Sequence, residues 1–305
     1  MANLAAGQLP DAKRISIDAP AKVNLFLHVC GLRHNGYHSL ESLVAFTELS
    51  DRISIRSADD LSLSISGPFA GALPEDRDTN LAFRAAEVLI KQKDLRNCAQ
   101  LTLEKNLPVS SGVGGGSADA AAVLRALAVL WRLDVTDATL AKIGMTIGAD
   151  VPACIHSAPA IVSGTGETVL PQHPIPPCGV VLVNAGEPVA TSTVFMLREG
   201  TFTDRASWPT VTSFDGLIAE LSARKNDLFA SASQISPIIK DVLAAISETA
   251  NCALARMSGS GGTCFGLYKH ESQAAQAAAE MSMQNPGWWC AATKFRAEQP
   301  RIQKE

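Results

Sequence analysis

Residues 108–122 read Pro108-Val109-Ser110-Ser111-Gly112-Val113-Gly114-Gly115-Gly116-Ser117-Ala118-Asp119-Ala120-Ala121-Ala122. Just before them, 101–104 alternate apolar and polar residues, the period of a strand, and Pro108 ends that run. After them, Ala120, Val123, Leu124, Leu127 and Leu130 recur at helical spacing. A strand, a glycine loop and a helix therefore follow one another. Such a loop exposes backbone N–H groups, and the helix end adds roughly half a positive charge. Together they form an anion cradle suited to phosphate. The plainer alternative is a tight turn that needs glycine only for its dihedrals. Ser117, as a helix N-cap and a phosphate or metal ligand, moves the balance toward the cradle.

Two familiar phosphate loops do not fit. A Walker loop needs Gly-Lys-Ser/Thr, and no lysine follows these glycines. The dinucleotide pattern GxGxxG, begun at Gly112 and Gly114, meets Ser117 where its third glycine belongs. A second glycine cluster, Ser258-Gly259-Ser260-Gly261-Gly262, is not a nucleophile elbow, because Ser258 stands where GxSxG requires glycine.

Working outward, Ile15 and Ile17 predict a strand, as do Ile53 and Ile55 and then Leu61, Leu63 and Ile65. Asp59 and Asp60 between the last two runs predict a hairpin. Residues 80–91 read as a helix with Leu81, Ala85, Val88 and Leu89 on one face, and a further helix ends at Ile147 with Gly148 as its stop. Pro171, Pro174, Pro176 and Pro177 mark a junction that divides the chain into domains 1–170 and 171–305. Beyond it, 180–183 is a continuous apolar run and reads as a buried strand, followed by strands at 254–257, 264–268 and 289–294 and a helix at 272–283. Met257 and Phe265 read as core.

The 305 residues are 47% hydrophobic and 18% charged, enough for a sizeable core and against global disorder. Lys plus Arg is 26 and Asp plus Glu is 30, a net charge of -4, which argues against a nucleic-acid binder. Aromatics at 5% argue against a base-stacking surface for single strands. The seven cysteines are odd in number and contain no CxxC, so neither a disulfide framework nor a zinc site is expected, and a reducing cytoplasmic setting fits. Residues 1–14 lack a signal-peptide pattern, and no run approaches the roughly 18 apolar residues of a membrane span. Residues 294–305 read as a charged, frayed end without function. Whether the chain is a monomer or a homodimer stays open.

Three segments, taken together, carry a resemblance: Pro20-Ala21-Lys22-Val23-Asn24-Leu25, the glycine loop through Asp119, and 257–262. In this order and spacing they resemble the GHMP small-molecule kinases. The stretch PAKVNLFLHV, the turn Gly36-Tyr37-His38 and Gly148-Ala149-Asp150-Val151-Pro152 resemble the branch whose substrate is a cytidyl diphosphate sugar alcohol in the non-mevalonate isoprenoid route. The likeness runs from about Ile15 to about Tyr268. It implies a two-domain α/β (α+β) fold, with an N-terminal half like ribosomal protein S5 domain 2 and a ferredoxin-like C-terminal half. It also implies ATP-dependent phosphorylation of the substrate's 2-hydroxyl, with ADP as the second product. Another kinase of the family, of the homoserine or mevalonate type, and a catalytically idle nucleotide-binding module are the competing readings.

The resemblance places ATP on Lys105, Pro108, Val109, Ser110, Ser111, Gly112, Val113, Gly114, Gly115, Gly116 and Ser117, with Mg²⁺ bridging the phosphates and Ser117 nearby. Asp150 would take the hydroxyl proton, and Lys22 beside it would favour the carboxylate form and orient the hydroxyl. Read without the family, Asp150 is as readily a helix N-cap before Pro152, Lys22 a surface lysine, and Lys105 a solvated strand end. The substrate would meet Asn24 and Thr191, and Gly259, Ser260 and Gly261 would approach its diphosphate or shape the ATP cleft. Tyr37 would stack on the cytosine with Phe195 as the opposite wall, and His38 would bond the base edge; without the family Tyr37 and His38 are a loop tip and Phe195 is core. Asn226-Asp227 matches the family and reads as structural. Three details depart from its common pattern: Ala118 stands where a second serine is frequent, Val113 replaces leucine, and Ser110-Ser111 replaces a Gly-Ala type pair.

Overall fold

The computed structural model describes residues 14–96, 98–205 and 207–304. Apart from its last residue, the segment tested for a signal peptide lies outside the described residues. The elements follow as β1 (Ile15–Leu32), β2 (His38–Ala58), β3 (Ser62–Ser66), α1 (Leu81–Gln92), β4 (Cys98–Glu104), α2 (Gly115–Leu130), α3 (Asp137–Met145), α4 (Val151–His156), β5 (Ala160–Gly164) and β6 (Thr168–Pro171). Then come β7 (Gly179–Asn184), α5 (Thr191–Met196), α6 (Phe214–Ser222), α7 (Phe229–Ile235), α8 (Ile238–Glu248), β8 (Leu254–Met257), β9 (Thr263–Tyr268), α9 (Glu271–Gln284), β10 (Trp289–Thr293) and β11 (Gln303–Lys304).

The strands form two sheets. The first runs β11-β1-β2-β4-β3, and β5 with β6 extends it from the other end of β2. The second runs β10-β7-β9-β8. Ladders are antiparallel except β3 with β4. That exception corrects the hairpin expected at Asp59-Asp60. The chain does turn there, but β4 inserts between β2 and β3, so Ile53 faces Leu103 and Leu63 faces Leu101. The alternation of Leu61, Leu63 and Ile65 shows a strand, but not which neighbour it takes.

Helix α1 starts where Asn80 accepts a hydrogen bond from the Ala82 N–H, an N-cap that satisfies one orphan donor. Helix α3 ends at Met145, two residues short of the expected Ile147, and Thr146 forms its cap. α1 and α2 pack their Ala and Leu faces on the first sheet with Ile15, Phe46, Ile53 and Leu101. A second core puts Val181, Val183 and Tyr268 against α7, α8 and α9. A third, containing Val23, Leu25, Val180, Leu182 and Phe265, joins the two sheets. Met257 and Phe265 are core, as read. Each fully buried Leu, Val or Phe contributes about 1.5–3 kcal/mol relative to exposure.

The proline stretch runs from the end of β6 in the first sheet to β7, the first strand of the second. The chain then crosses back. Residues 294–304 are not frayed: Arg296 pairs with Asp18, Gln299 donates to Asp137 and to the Ile155 carbonyl, Pro300 accepts from Arg125, and β11 adds to β1. Their charge reads as solvent exposure in sequence, but Lys294 and Arg296 have distant partners in Glu48, Glu271 and Asp18.

Candidate active site

A cavity of about 1240 Å³ opens between the two sheets. Its floor is β1, and irregularities in β1 explain why. The register with β2 shifts between Pro20 and Lys22 and again between Asn24 and Phe26. These bulges turn backbone donors away from β2. The Lys22 N–H donates to the Val113 carbonyl at 2.8 Å, and the Asn24 N–H donates to Ser258 Oγ at 3.1 Å. Strand, glycine loop and second glycine cluster are thereby stitched together.

Helix α2 begins at Gly115, with Gly114 in the left-handed conformation as its N-cap. Ser117 is therefore not the cap; it lies in the first turn. Its hydroxyl faces the turn before Asp150, 3.7 Å from where a Cβ on Gly148 would stand. Gly112 has φ +77°, and a Cβ there would come within 2.3 Å of the Gly261 carbonyl oxygen, so only glycine lets the two loops meet. Pro108 through Gly112 and Gly114 through Ser117 line the cavity, whereas Val113 is buried beneath it with its side chain in the core.

Asp150 occupies the N-cap position of α4, but its side chain makes no capping bond. It turns to Lys22, with Nζ to Oδ1 at 2.7 Å. The Lys22 side chain is 5% exposed and that of Asp150 45%. The lysine is thus the fixed partner, and the carboxylate is the group a ligand can reach. Burial of Lys22 overturns its reading as a surface lysine, and the missing capping bond decides against Asp150 as a mere cap.

Lys105 is not a solvated strand end. Its ammonium is buried beneath Gly115, 2.5 Å from Asp51 Oδ2 and 2.8 Å from Asp119 Oδ2. Asp51 also accepts from the N–H groups of Asn106 and Leu107. Burial works against the charge on Lys105, but the Asp119 and Asp51 carboxylates outweigh it and its pKa is raised. Burial, with Asp51 adding to it, holds the Asp119 carboxyl well above the usual range despite Lys105. Lys105 borders the cavity, with two of its three ammonium donors engaged by Asp51 and Asp119. Sequence reading gave no role to Asp51 or Asp119. Asp119 sits inside the glycine motif, but nothing local shows that a lysine 14 residues earlier will reach it.

At the opposite end, His38 stacks on Phe195, with ring centroids 5.3 Å apart and planes at 24°. Burial, and secondarily the Arg198 guanidinium, lower the His38 pKa. Tyr37 is 65% exposed beside them. The pairing differs from the expected sandwich, because His38 rather than open space lies against Phe195. Phe195 is half-buried at the edge of the second core and also lines the cavity, so it serves both readings. Thr191 Oγ1 and Ser260 Oγ share a hydrogen bond of 2.7 Å on the same wall. Asn24 donates to Ser42 Oγ, and its own Oδ1 has no hydrogen-bond partner. Gly259 and Ser260 line the cavity; Gly261 does not, since its α-carbon faces Met257, Ala232 and Ile239. Asn226 bonds the carbonyls of Met257 and Gly259, and Asp227 bonds Val29 N–H and Thr203, which is scaffolding.

The cavity therefore joins an amide-lined anion loop, a lysine–carboxylate pair and a wall of rings. Comparison with known families sets the class. Residues 80–158 match the GHMP kinases N terminal domain and residues 213–286 match the GHMP kinases C terminal. A 4-diphosphocytidyl-2-C-methyl-D-erythritol kinase of Paramagnetospirillum magneticum is 45% identical over 90% of this chain and 96% of its own length. One of Parvibaculum lavamentivorans is 46% identical over 89% and 94%. A crystal structure of 4-(cytidine 5'-diphospho)-2C-methyl-D-erythritol kinase superposes with a TM-score of 0.74 at 30% identity, covering 92% of this chain and 98% of that one. A homoserine kinase from Cytophaga hutchinsonii, 16% identical with a TM-score of 0.71 over 99% and 100%, shares the fold. The chain belongs to the 4-diphosphocytidyl-2-C-methyl-D-erythritol kinase family within the GHMP kinases. Among the described residues no helix is long and apolar enough to cross a membrane.

Proposed function

We propose that this chain transfers the γ-phosphoryl group of ATP to the 2-hydroxyl of 4-diphosphocytidyl-2-C-methyl-D-erythritol, giving the 2-phosphate and ADP. The observation that carries the reading is the Lys22–Asp150 pair, 2.7 Å apart, on the wall of a cavity between the glycine loop and the His38–Phe195 rings. Phosphoryl transfer needs an in-line acceptor, a held phosphate and balanced charge. Asp150 accepts the hydroxyl proton at its carboxylate, and Lys22 orients that carboxylate. The amides of 112–117 hold the phosphates at the N-terminus of α2. Tyr37 and the His38–Phe195 stack border the place of the cytosine, and the unpartnered Asn24 Oδ1 offers an acceptor to a substrate hydroxyl.

Mg²⁺ fits the same place. The Ser117 hydroxyl, facing the Gly148 turn, is a hard oxygen donor there, and a buried Ala118 adds none. When bound, the ion would neutralise phosphate charge. Ser117 would hold it together with the nucleotide.

Assay of the purified chain with ATP and each of the cytidyl substrate, homoserine and mevalonate tests the reading. Turnover is expected with the cytidyl compound. Turnover of another alcohol alone would move the chain's activity elsewhere in the family, and ATP binding without any transfer would make it an idle module.

A further inference from the structure

Two hairpin turns flank the ring end of the cavity, and a single ion pair joins them. Arg33 opens the turn between β1 and β2. Its N–H donates to the Tyr37 carbonyl at 2.8 Å, and its Nε donates to Ser39 Oγ at 3.2 Å, so it clamps both sides of Tyr37-His38. Its remaining guanidinium arm donates to Glu167 Oε1 at 2.5 Å. Glu167 closes the turn between β5 and β6, where Oε2 accepts from the Thr165 N–H and hydroxyl. That turn rests on the catalytic loop. Gly166 has φ +121°, and a Cβ there would come within 2.2 Å of the carbonyl oxygen of Ala149, the residue before Asp150. A continuous line of contacts thus runs from the rings through Arg33 and Glu167 to the backbone that carries the carboxylate.

We propose that Arg33 and Glu167 are positioning residues that couple seating of the substrate's base at Tyr37-His38 to placement of Asp150. The inference rests on the function proposed above. Neither side chain lines the cavity, so the role proposed for each is exerted through the turns that do. A ligand that settles on Tyr37-His38 shifts the 33–38 turn, and the ion pair passes that shift to 164–167 and so to Ala149. Substrate binding energy remote from the reacting hydroxyl is then spent on alignment, which appears in kcat as well as KM. The pair is more than one-third exposed on both sides, so its loss alters overall stability little.

The test compares unaltered enzyme, Arg33→Gln, Glu167→Gln and the exchanged pair Arg33→Glu with Glu167→Arg. Each single variant should lower kcat about 5- to 20-fold and raise KM for the cytidyl substrate several-fold. KM for ATP should stay within about twofold and the melting temperature within about 2 °C. The exchanged pair should recover most of the lost kcat. Unchanged kcat in the single variants, an equal loss in KM for ATP, a large fall in melting temperature, or an exchanged pair no better than the two losses combined would each overturn the coupling. Absence of turnover by the unaltered enzyme would overturn the proposed function and this inference with it; normal turnover with indifferent variants overturns the inference alone.

Discussion

Asp150 shows how a single residue acquires a role. A carboxylate at a helix start ordinarily caps it, worth about 1 kcal/mol. Here the cap is forgone and the side chain meets Lys22 instead. Asp150→Asn should lower kcat by roughly 10²- to 10⁴-fold with little change in KM for ATP, and steady-state kinetics will show it. Unchanged kcat would remove Asp150 from the chemistry. Lys105 makes a different point, as a buried charge held by two buried carboxylates. Lys105→Met should cost about 3–5 kcal/mol in urea unfolding, because two carboxylates then remain buried without a cation. An unshifted midpoint would deny the triad its part in the fold. Glu167 sets a pH expectation. Desolvation opposes its charge, but Arg33 and the Thr165 and Glu167 amides outweigh it and hold the carboxyl at about 2, below its ordinary 4.5. A depressed acid gives stability that is complete above the unfolded value and lost as pH falls from about 4.5 toward 2. Because the Glu167 side chain is more than one-third exposed, solvent screening keeps that contribution small, and Glu167→Gln should flatten this part of the pH–stability curve only slightly in melting experiments.

Among elements, the glycine loop with α2 was the most legible. Its composition changes abruptly from glycine to alanine and leucine, and the helical period follows at once. What stayed hidden was the loop's partner. Gly112 needs to be glycine less for its own turn than because the Gly261 carbonyl occupies the space of a side chain. Gly112→Ala should lower affinity for ATP and depress the melting temperature by several degrees, from both the positive φ and the clash. An unaffected nucleotide titration would show that the two loops need not touch. Strand β1 carries a second lesson. Its bulges are invisible in PAKVNLFLHV, where Lys22 and Asn24 alternate with apolar residues as in an unbroken strand. The bulges alone free the Lys22 and Asn24 amides for the loops. In the ring wall, His38→Ala should harm the cytidyl substrate's KM more than that of ATP, and equal losses would mean that His38 does not read the base.

At the scale of the molecule, β1 supplies Ile15 and Ile17 to the first core, Val23 and Leu25 to the joining core, and Leu27 and Val29 to the second. Residues 294–304 return from the second sheet to the first. A domain boundary drawn at the proline stretch therefore cuts neither the packing nor the chain path cleanly. Unfolding should be one cooperative event, with Trp131 in the first core and Trp288 beside the second changing together with far-ultraviolet dichroism. Separated transitions would show two independent units. ATP at a hundredfold its dissociation constant should raise stability by about 2.7 kcal/mol across that single transition.

The sequence alone determined the strands and helices around the glycine loop and after the proline stretch, and the loop itself, because periodicity and glycine punctuation are local properties written in consecutive residues; β5, β6 and the helices α5 to α8 went unread, and the family came from the resemblance of three motif segments. It also named Lys22 and Asp150 through the resemblance. Only the tertiary structure decided that β4 separates β2 from β3, that Lys105 spends its charge on Asp51 and Asp119, and that the C-terminal segment is bound. Pairing and charge compensation depend on which distant residues share a few ångströms, and a chain's local pattern does not encode that distance. The same reason hides the Arg33–Glu167 link, whose partners lie 134 residues apart in sequence and 2.5 Å apart in space.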